Sequence, residues 1–95
     1  MAANHAATWK VKTRPEAGKD LDRLPDHVRS EALDAIEDLA HDPFPPDSIM
    51  LRGYSSRYRI KFYGNRYRII YDMLERTRTV RIFRVRHRKD AYRGL

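Results

Sequence analysis

Five cations alternate with apolar side chains on either side of one tight turn, Tyr63-Gly64-Asn65-Arg66. A Gly-Asn pair between two strand-patterned runs signals a two-residue hairpin loop of the primed type. That loop sets a register: Phe62 opposes Tyr67, Lys61 opposes Arg68, Ile60 opposes Ile69, and Tyr58 opposes Tyr71. One hairpin face then gathers Tyr58, Ile60, Phe62, Tyr67, Ile69 and Tyr71, a surface that a helical layer must cover. The other gathers Arg57, Arg59, Lys61, Arg66 and Arg68. Like charges directly opposed across an antiparallel pair are destabilising. Long side chains splayed into solvent soften that cost, yet a sequence chosen only for folding would place Glu or Thr opposite Lys61. The chemistry that suits such a face is phosphate binding, because an arriving anion relieves the repulsion and guanidinium forks match its oxygens.

Downstream, the run Val80-Arg81-Ile82-Phe83-Arg84-Val85-Arg86-His87-Arg88-Lys89-Asp90-Ala91-Tyr92-Arg93 adds further groups. Simple alternation puts Val80 and Ile82 on one face and Phe83 and Val85 on the other, as in an interior strand. His87 and Arg88 fall at its end, and Tyr92 follows Arg88 by four residues, the spacing of one face if a helical turn follows. His87 is by type a proton donor near neutral pH, although a plainer role is to cap the strand end. His5, His27 and His41 have no carboxylate or cysteine partners at ligand spacing, so no metal site is expected. The four glycines form no phosphate-cradling motif, and no cofactor is expected.

The charge is local. The 95 residues hold 20 Lys+Arg and 13 Asp+Glu, a net +7. Residues 1–47 carry 6 basic and 10 acidic side chains, a net of −4, whereas residues 48–95 carry 14 and 3, a net of +11. All six tyrosines lie in the second half, and 15 of the 20 cations are Arg. A basic block of this kind is the footprint of a polyanion site. The absence of cysteine excludes a disulfide scaffold and thiolate metal sites. No apolar run approaches the ~18 residues of a membrane span, and MAANHAAT lacks the apolar core of a signal peptide. A cytoplasmic domain with no membrane partner is expected.

These groups need a scaffold, and the pattern supplies one. Trp9–Arg14 alternates as a half-buried strand. Pro15 and Glu16 suit a helix first turn, followed by Ala17, Leu21 and Leu24 at helical spacing. Pro25 interrupts, and Val28, Ala32, Ala35, Ile36 and Leu39 then mark the apolar stripe of a helix from Asp26 to His41. The proline-rich stretch 42–48 reads as a loop. Four strand candidates follow: Ile49–Arg52, Arg57–Tyr63, Arg66–Met73 and Thr79–Val85. The order β-α-α-β-β-β-β implies an α+β domain, two N-terminal helices packed on a mostly antiparallel sheet. Residues 1–8 read as a flexible tail and 9–95 as a single domain closed by a short C-terminal helical turn.

The chain resembles the RelE branch of the RelE/ParE toxin superfamily of type II toxin–antitoxin systems. The resemblance is carried by Met50-Leu51-Arg52-Gly53, Tyr58-Arg59-Ile60-Lys61, Tyr67-Arg68-Ile69-Ile70-Tyr71 and Val85 through Arg93. Upstream, Lys19-Asp20-Leu21, Leu24-Pro25, Val28-Arg29 and Asp42-Pro43 fit the same pattern. It implies a RelE-like fold and a ribosome-dependent endoribonuclease, an mRNA interferase that cuts mRNA in the ribosomal A site. By position, the family's catalytic set falls on Arg59, Lys61, Arg68, Arg88 and Tyr92.

Cleavage without a metal needs a base for the 2′-hydroxyl, cations around the phosphorane, and a proton for the leaving oxygen. Lys61 is the one lysine on the charged face, and guanidinium neighbours favour its neutral form, so it is the expected base. The family often has Lys where Arg59 stands. Arg cannot share the base role, which leaves Lys61 alone. Arg59 and Arg68 would hold phosphoryl oxygens, Arg88 or His87 would serve the leaving group, and Tyr92 would stack on a nucleotide. Arg57 and Arg66 would add substrate contacts. Implied partners are the ribosome, mRNA and a RelB-like antitoxin with an acidic or amphipathic segment, which brings operator DNA only through the complex. Two other readings share the fold or the charge: a ParE-like DNA gyrase inhibitor and a non-catalytic nucleic-acid-binding module.

Overall fold

Proline sets both helix starts. Pro15 occupies the first turn of α1 (Pro15–Asp22), and Pro25 precedes α2 (Asp26–His41), so each ring lies where an N–H would lack a helical partner. The computed structural model describes residues 9–95, and the tail expected at 1–8 lies outside the described residues. The strands are β1 (Lys10–Thr13), β2 (Ile49–Met50), β3 (Arg57–Phe62), β4 (Tyr67–Leu74) and β5 (Thr79–His87), with a 3-10 turn at Glu75–Thr77. They form one five-stranded sheet in the order β1-β5-β4-β3-β2. β1 lies parallel to β5, and every other pairing is antiparallel. The expected α+β order is therefore observed, and β5 is an interior strand.

The helices cover one sheet face. Ala17, Leu21, Val28, Ala32, Ile36 and Leu39 pack over Ile60, Phe62, Ile69, Tyr71, Met73, Val80, Ile82 and Val85. Burying each large aliphatic among these contributes about 1.5–3 kcal/mol. Tyr71 is fully buried, and its hydroxyl donates to the Pro43 carbonyl at 2.8 Å, tying the proline-rich loop to the core. Burial raises the Tyr71 phenol well above its ordinary value, against a smaller lowering by Ser48.

The β3–β4 register is as expected, from Tyr58↔Tyr71 through Lys61↔Arg68 to Phe62↔Tyr67. The turn differs. Positive φ falls on Tyr63 (53°) and Gly64 (66°), not on Gly64 and Asn65, and the strands stop at Phe62 and resume at Tyr67. The connection is thus a four-residue loop closed by Arg66 N–H to Tyr63 C=O at 3.3 Å. It keeps the register because the loop gains one residue on each side.

β5 also departs from simple alternation. Ile70 pairs with Arg84 but Tyr71 pairs with Ile82, leaving Phe83 as the extra residue of a β-bulge. The bulge returns Val85 to the helix-covered face beside Ile69, so the apolar residues of β5 do not mark two buried faces. Phe83 instead lies under the guanidiniums of Arg57 (3.8 Å) and Arg14 (4.3 Å).

Two aspartates finish edges that neighbouring strands leave open. β1 ends opposite Ile82, and beyond it Asp20 of α1 accepts the Val85 N–H at 3.0 Å. β2 ends opposite Arg59, and beyond it Asp47 accepts the Lys61 N–H at 3.3 Å. After β5 the chain closes in successive turns, Asp90 N–H to His87 C=O and Arg93 N–H to Asp90 C=O, with Ala91 fully buried. No described helix is long and apolar enough to cross a membrane.

Candidate functional site

The sheet face away from the helices is organised in rows across β3, β4 and β5. The row farthest from the hairpin turn is Arg57↔Asp72↔Arg81. Asp72 is buried there and accepts from Arg57 at 2.7 and 3.2 Å and from Arg81 at 3.1 Å. Hydrogen bonding to Asp72 raises the Arg57 guanidinium further above its ordinary value, against a smaller desolvation effect. The middle row is Arg59↔Ile70↔Arg84. Arg84 is neutralised by Asp20 through bonds of 2.8 and 2.9 Å. Burial alone would raise the Asp20 carboxyl, but hydrogen bonds from Arg84 and Val85 and the charges of Arg84 and Arg86 outweigh it, so its pKa falls below the usual carboxylate value.

The third row is Lys61↔Arg68↔Arg86, three cations directly opposed across three strands. Among the described residues, none of the three forms an ion pair with a carboxylate. Arg68 donates through one nitrogen to the carbonyls of Asn65 (3.0 Å) and Tyr67 (3.1 Å), and its Nε is buried without a partner. A buried donor left unpaired costs about 1–3 kcal/mol. The fold therefore supplies a carboxylate to each of the first two rows, Asp72 and Asp20, though Arg59 forms no ion pair among the described residues, and it supplies none to the third.

The expected site residues divide accordingly. Lys61 and Arg68 are brought together, and Arg59 is one row away, its guanidinium 3.5 Å from the Asp47 carbonyl. Arg57 lies four residues from Lys61 along β3, roughly 13 Å at strand rise, and is engaged by Asp72 and Phe83. Arg66 is exposed in the turn, and its carbonyl accepts the Arg88 N–H at 2.8 Å. That bond sets the exposed Arg88 beside the open end of the charged row. His87 packs edge-on to Tyr67 at 5.2 Å, and its Nδ1 accepts the Lys89 N–H at 3.2 Å. Nε2 then carries the proton of the neutral ring. Tyr92 stands out from the C-terminal turns, 47% exposed.

Sequence reasoning missed Arg86. Straight alternation assigned it to the helix side with Val80 and Ile82, and only the bulge at Phe83 turns it toward Arg68. It also missed the carboxylates, since Asp72 reaches Arg57 across 15 residues and Asp20 reaches Arg84 across 64. A cleft of about 270 Å³ opens on the Lys61 side, lined in part by Asp38, Asp42 and Asp47. Another of about 400 Å³ opens beside Arg86, lined in part by Arg23, Arg84, His87 and Arg93.

Comparison with known proteins places this geometry. Among solved structures, the chain is similar to the toxin of an archaeal RelE–RelB complex from Pyrococcus horikoshii OT3. That likeness has a TM-score of 0.75 and 27% identity, covering 88% of this chain and 99% of the other. It is also similar to the toxin–antitoxin complex RelBE2 from Mycobacterium tuberculosis, with a TM-score of 0.73 and 26% identity over 84% of this chain and 98% of that one. The isolated E. coli RelE toxin shares the fold, with a TM-score of 0.74 and 22% identity over 92% of this chain and 88% of that one. A search of curated protein sequences finds no match. The family model for the ParE toxin of the type II toxin–antitoxin system, parDE, matches residues 11–92. The chain thus belongs to the ParE toxin family of type II toxin–antitoxin systems, within the RelE/ParE superfamily.

Proposed function

We propose that this toxin is a ribosome-dependent mRNA endoribonuclease, acting in the cytoplasm by attack of the 2′-hydroxyl on the adjacent phosphate. The observation that supports the reading is the row Lys61–Arg68–Arg86, whose side chains form no ion pair among the described residues, with Arg59 beside it also without one, on a face where Arg57, Arg81 and Arg84 hold Asp72 and Asp20. Like-charge opposition in two directly opposed pairs costs stability, and a phosphate between them turns that cost into binding.

In this reading Lys61 removes the 2′-hydroxyl proton, and the oxygen attacks phosphorus as the bond to the 5′-oxygen breaks. Arg68, with Arg59 beside it, stabilises the negative charge that builds on the phosphoryl oxygens. Arg88 stabilises the departing oxygen, His87 is the alternative proton donor only as the imidazolium, with its Nδ1 released from the Lys89 N–H, and Tyr92 stacks on a base. The products are a 2′,3′-cyclic phosphate and a 5′-hydroxyl, which balances the proton taken and the proton returned. No step draws on a metal ion. Arg66 contacts the RNA backbone from the hairpin turn, whereas Arg57, two rows away and held by Asp72, is left an outlying contact.

The partner in this reading is a RelB-like antitoxin, as in the complexes from Pyrococcus horikoshii and Mycobacterium tuberculosis. Its acidic or amphipathic segment neutralises the charged row, and operator DNA is met only through that complex. Programmed ribosomes carrying end-labelled mRNA test the reading: wild type cuts, and Lys61→Ala and Arg68→Ala lose at least about a hundredfold in rate. A second reading, inhibition of DNA gyrase, is favoured by the ParE description of the matching family. Inhibited supercoiling with intact mRNA would select it.

A further inference from the structure

We infer that Arg86 is a positioning residue that couples the phosphate-binding row to the C-terminal turns carrying Arg88 and Tyr92, an inference that rests on the nuclease reading above. Arg86 pairs with Arg68 in the sheet, so its side chain leaves β5 beside the proposed phosphate position. One of its terminal nitrogens donates to the carbonyls of Asp90 (3.1 Å) and Arg93 (3.0 Å). Those two carbonyls bracket Ala91 and Tyr92. Other tethers of this segment among the described residues are backbone bonds at Arg88, Asp90 and Arg93, an exposed Arg93–Asp90 ion pair at 3.7 Å, the His87 ring on the Lys89 N–H, and the burial of Ala91.

The chemistry of the guanidinium makes the coupling specific. Of its five N–H donors, two are spent on the carbonyls, leaving the Nε and the second terminal nitrogen to face a phosphate oxygen. One planar group thus holds the turn with one edge and the substrate with another. A lysine at this position would carry the same charge but could not span both sets of acceptors in a fixed plane. An arriving phosphate and the seating of Tyr92 are then linked through one rigid side chain. Arg86 acts on the reacting atoms through the placement of Tyr92 and Arg88, and its effect belongs to orientation more than to affinity.

The test combines three measurements on the full chain. Hydrogen–deuterium exchange on free wild type, Arg86→Ala and Arg86→Lys reads the clamp without any substrate. Exchange at the Asp90 and Arg93 amides should accelerate at least about tenfold in both variants, while β3 and β4 amides keep wild-type protection. Unchanged exchange at those two amides would overturn the clamp. Single-turnover cleavage of mRNA on programmed ribosomes should then fall about a hundredfold for Arg86→Ala, with half-saturation shifting less than about threefold. In Arg86→Ala/Tyr92→Ala, the combined loss should be no larger than that of the worse single variant. Multiplying losses would show that Arg86 acts independently of Tyr92, and overturn the coupling. Arg86→Lys guards against a folding artefact, because loss of β3 and β4 protection in Arg86→Ala leaves the decision to the lysine variant. Wild type that leaves mRNA intact would sink the nuclease reading alone, with the clamp still decided by exchange.

Discussion

Two arginines on one sheet face should respond to the same substitution with opposite signs. Arg68 has a cation directly opposite on each side, Lys61 and Arg86, and an Nε with no partner. Arg81 lies two rows away and donates to buried Asp72 at 3.1 Å. Arg68→Gln keeps most of the stem and removes two like-charge oppositions, each about 0.2–1 kcal/mol. It also relieves the unpaired Nε–H but loses two partly exposed bonds to carbonyls, about 0.5–1.5 kcal/mol each. The balance is a gain of about 0.5–1 kcal/mol, a rise in Tm of roughly 2–8 °C for a chain of this size. Arg81→Gln relieves an unpaired Nε–H of the same kind but loses a charge-assisted bond to a buried carboxylate, about 1.5–3 kcal/mol. On balance it should lose up to about 1 kcal/mol, limited by its exposure and by the Arg57–Asp72 pair that stays behind. Urea unfolding in low salt and in ~1 M NaCl reads both, since the Debye length falls to ~3 Å and the Arg68 gain should shrink with it. The reasoning is refuted if Arg68→Gln destabilises, or if its effect is the same at both salt concentrations. The more stable Arg68 variant should at the same time be inactive, the trade-off expected of a strained functional site.

Asp20→Asn removes a charge that holds Arg84 and caps the Val85 N–H, and it should cost about 2–4 kcal/mol at pH 7, less than a fully buried pair because Arg84 keeps 19% exposure. Because the Asp20 pKa is lowered by folding, its contribution is complete above the unfolded value of ~3.9 and is lost as pH falls through the folded value. Acid titration of stability should therefore show a wild-type loss below about pH 4 that Asp20→Asn lacks. Tyr71→Phe should cost about 1–2 kcal/mol by orphaning the Pro43 carbonyl, with faster amide exchange in residues 42–48. Inorganic phosphate should raise Tm more than NaCl at equal ionic strength, and Lys61→Ala/Arg68→Ala should abolish the difference.

What could be read from the sequence was what short-range periodicity encodes. The β3–β4 register and the span of α2 follow from alternation and from the 3.6-residue stripe, and both match the structure. The four-residue form of the loop was not legible, because Tyr63 adopts a positive φ that its residue type does not favour. Nor was the bulge at Phe83, which flips Arg84 and Arg86 to the charged face. Within the site, Lys61 facing Arg68 was legible, whereas the distinction between rows with and without a carboxylate was not. That distinction depends on Asp72, 15 residues from Arg57, and on Asp20, 64 residues from Arg84, contacts no local window contains.

Whether this toxin cuts RNA is decided by the chemistry of the ends. Programmed ribosomes, kept intact in Mg²⁺ with no other divalent ion added, would be given two mRNAs, identical except for a 2′-deoxy sugar at the cleaved nucleotide. The charged row predicts cleavage of the all-ribose message to 2′,3′-cyclic phosphate and 5′-hydroxyl ends, none with the 2′-deoxy message, and none with Lys61→Ala. Cleavage of the 2′-deoxy message, or dependence on a divalent ion beyond that of the ribosome itself, would contradict it.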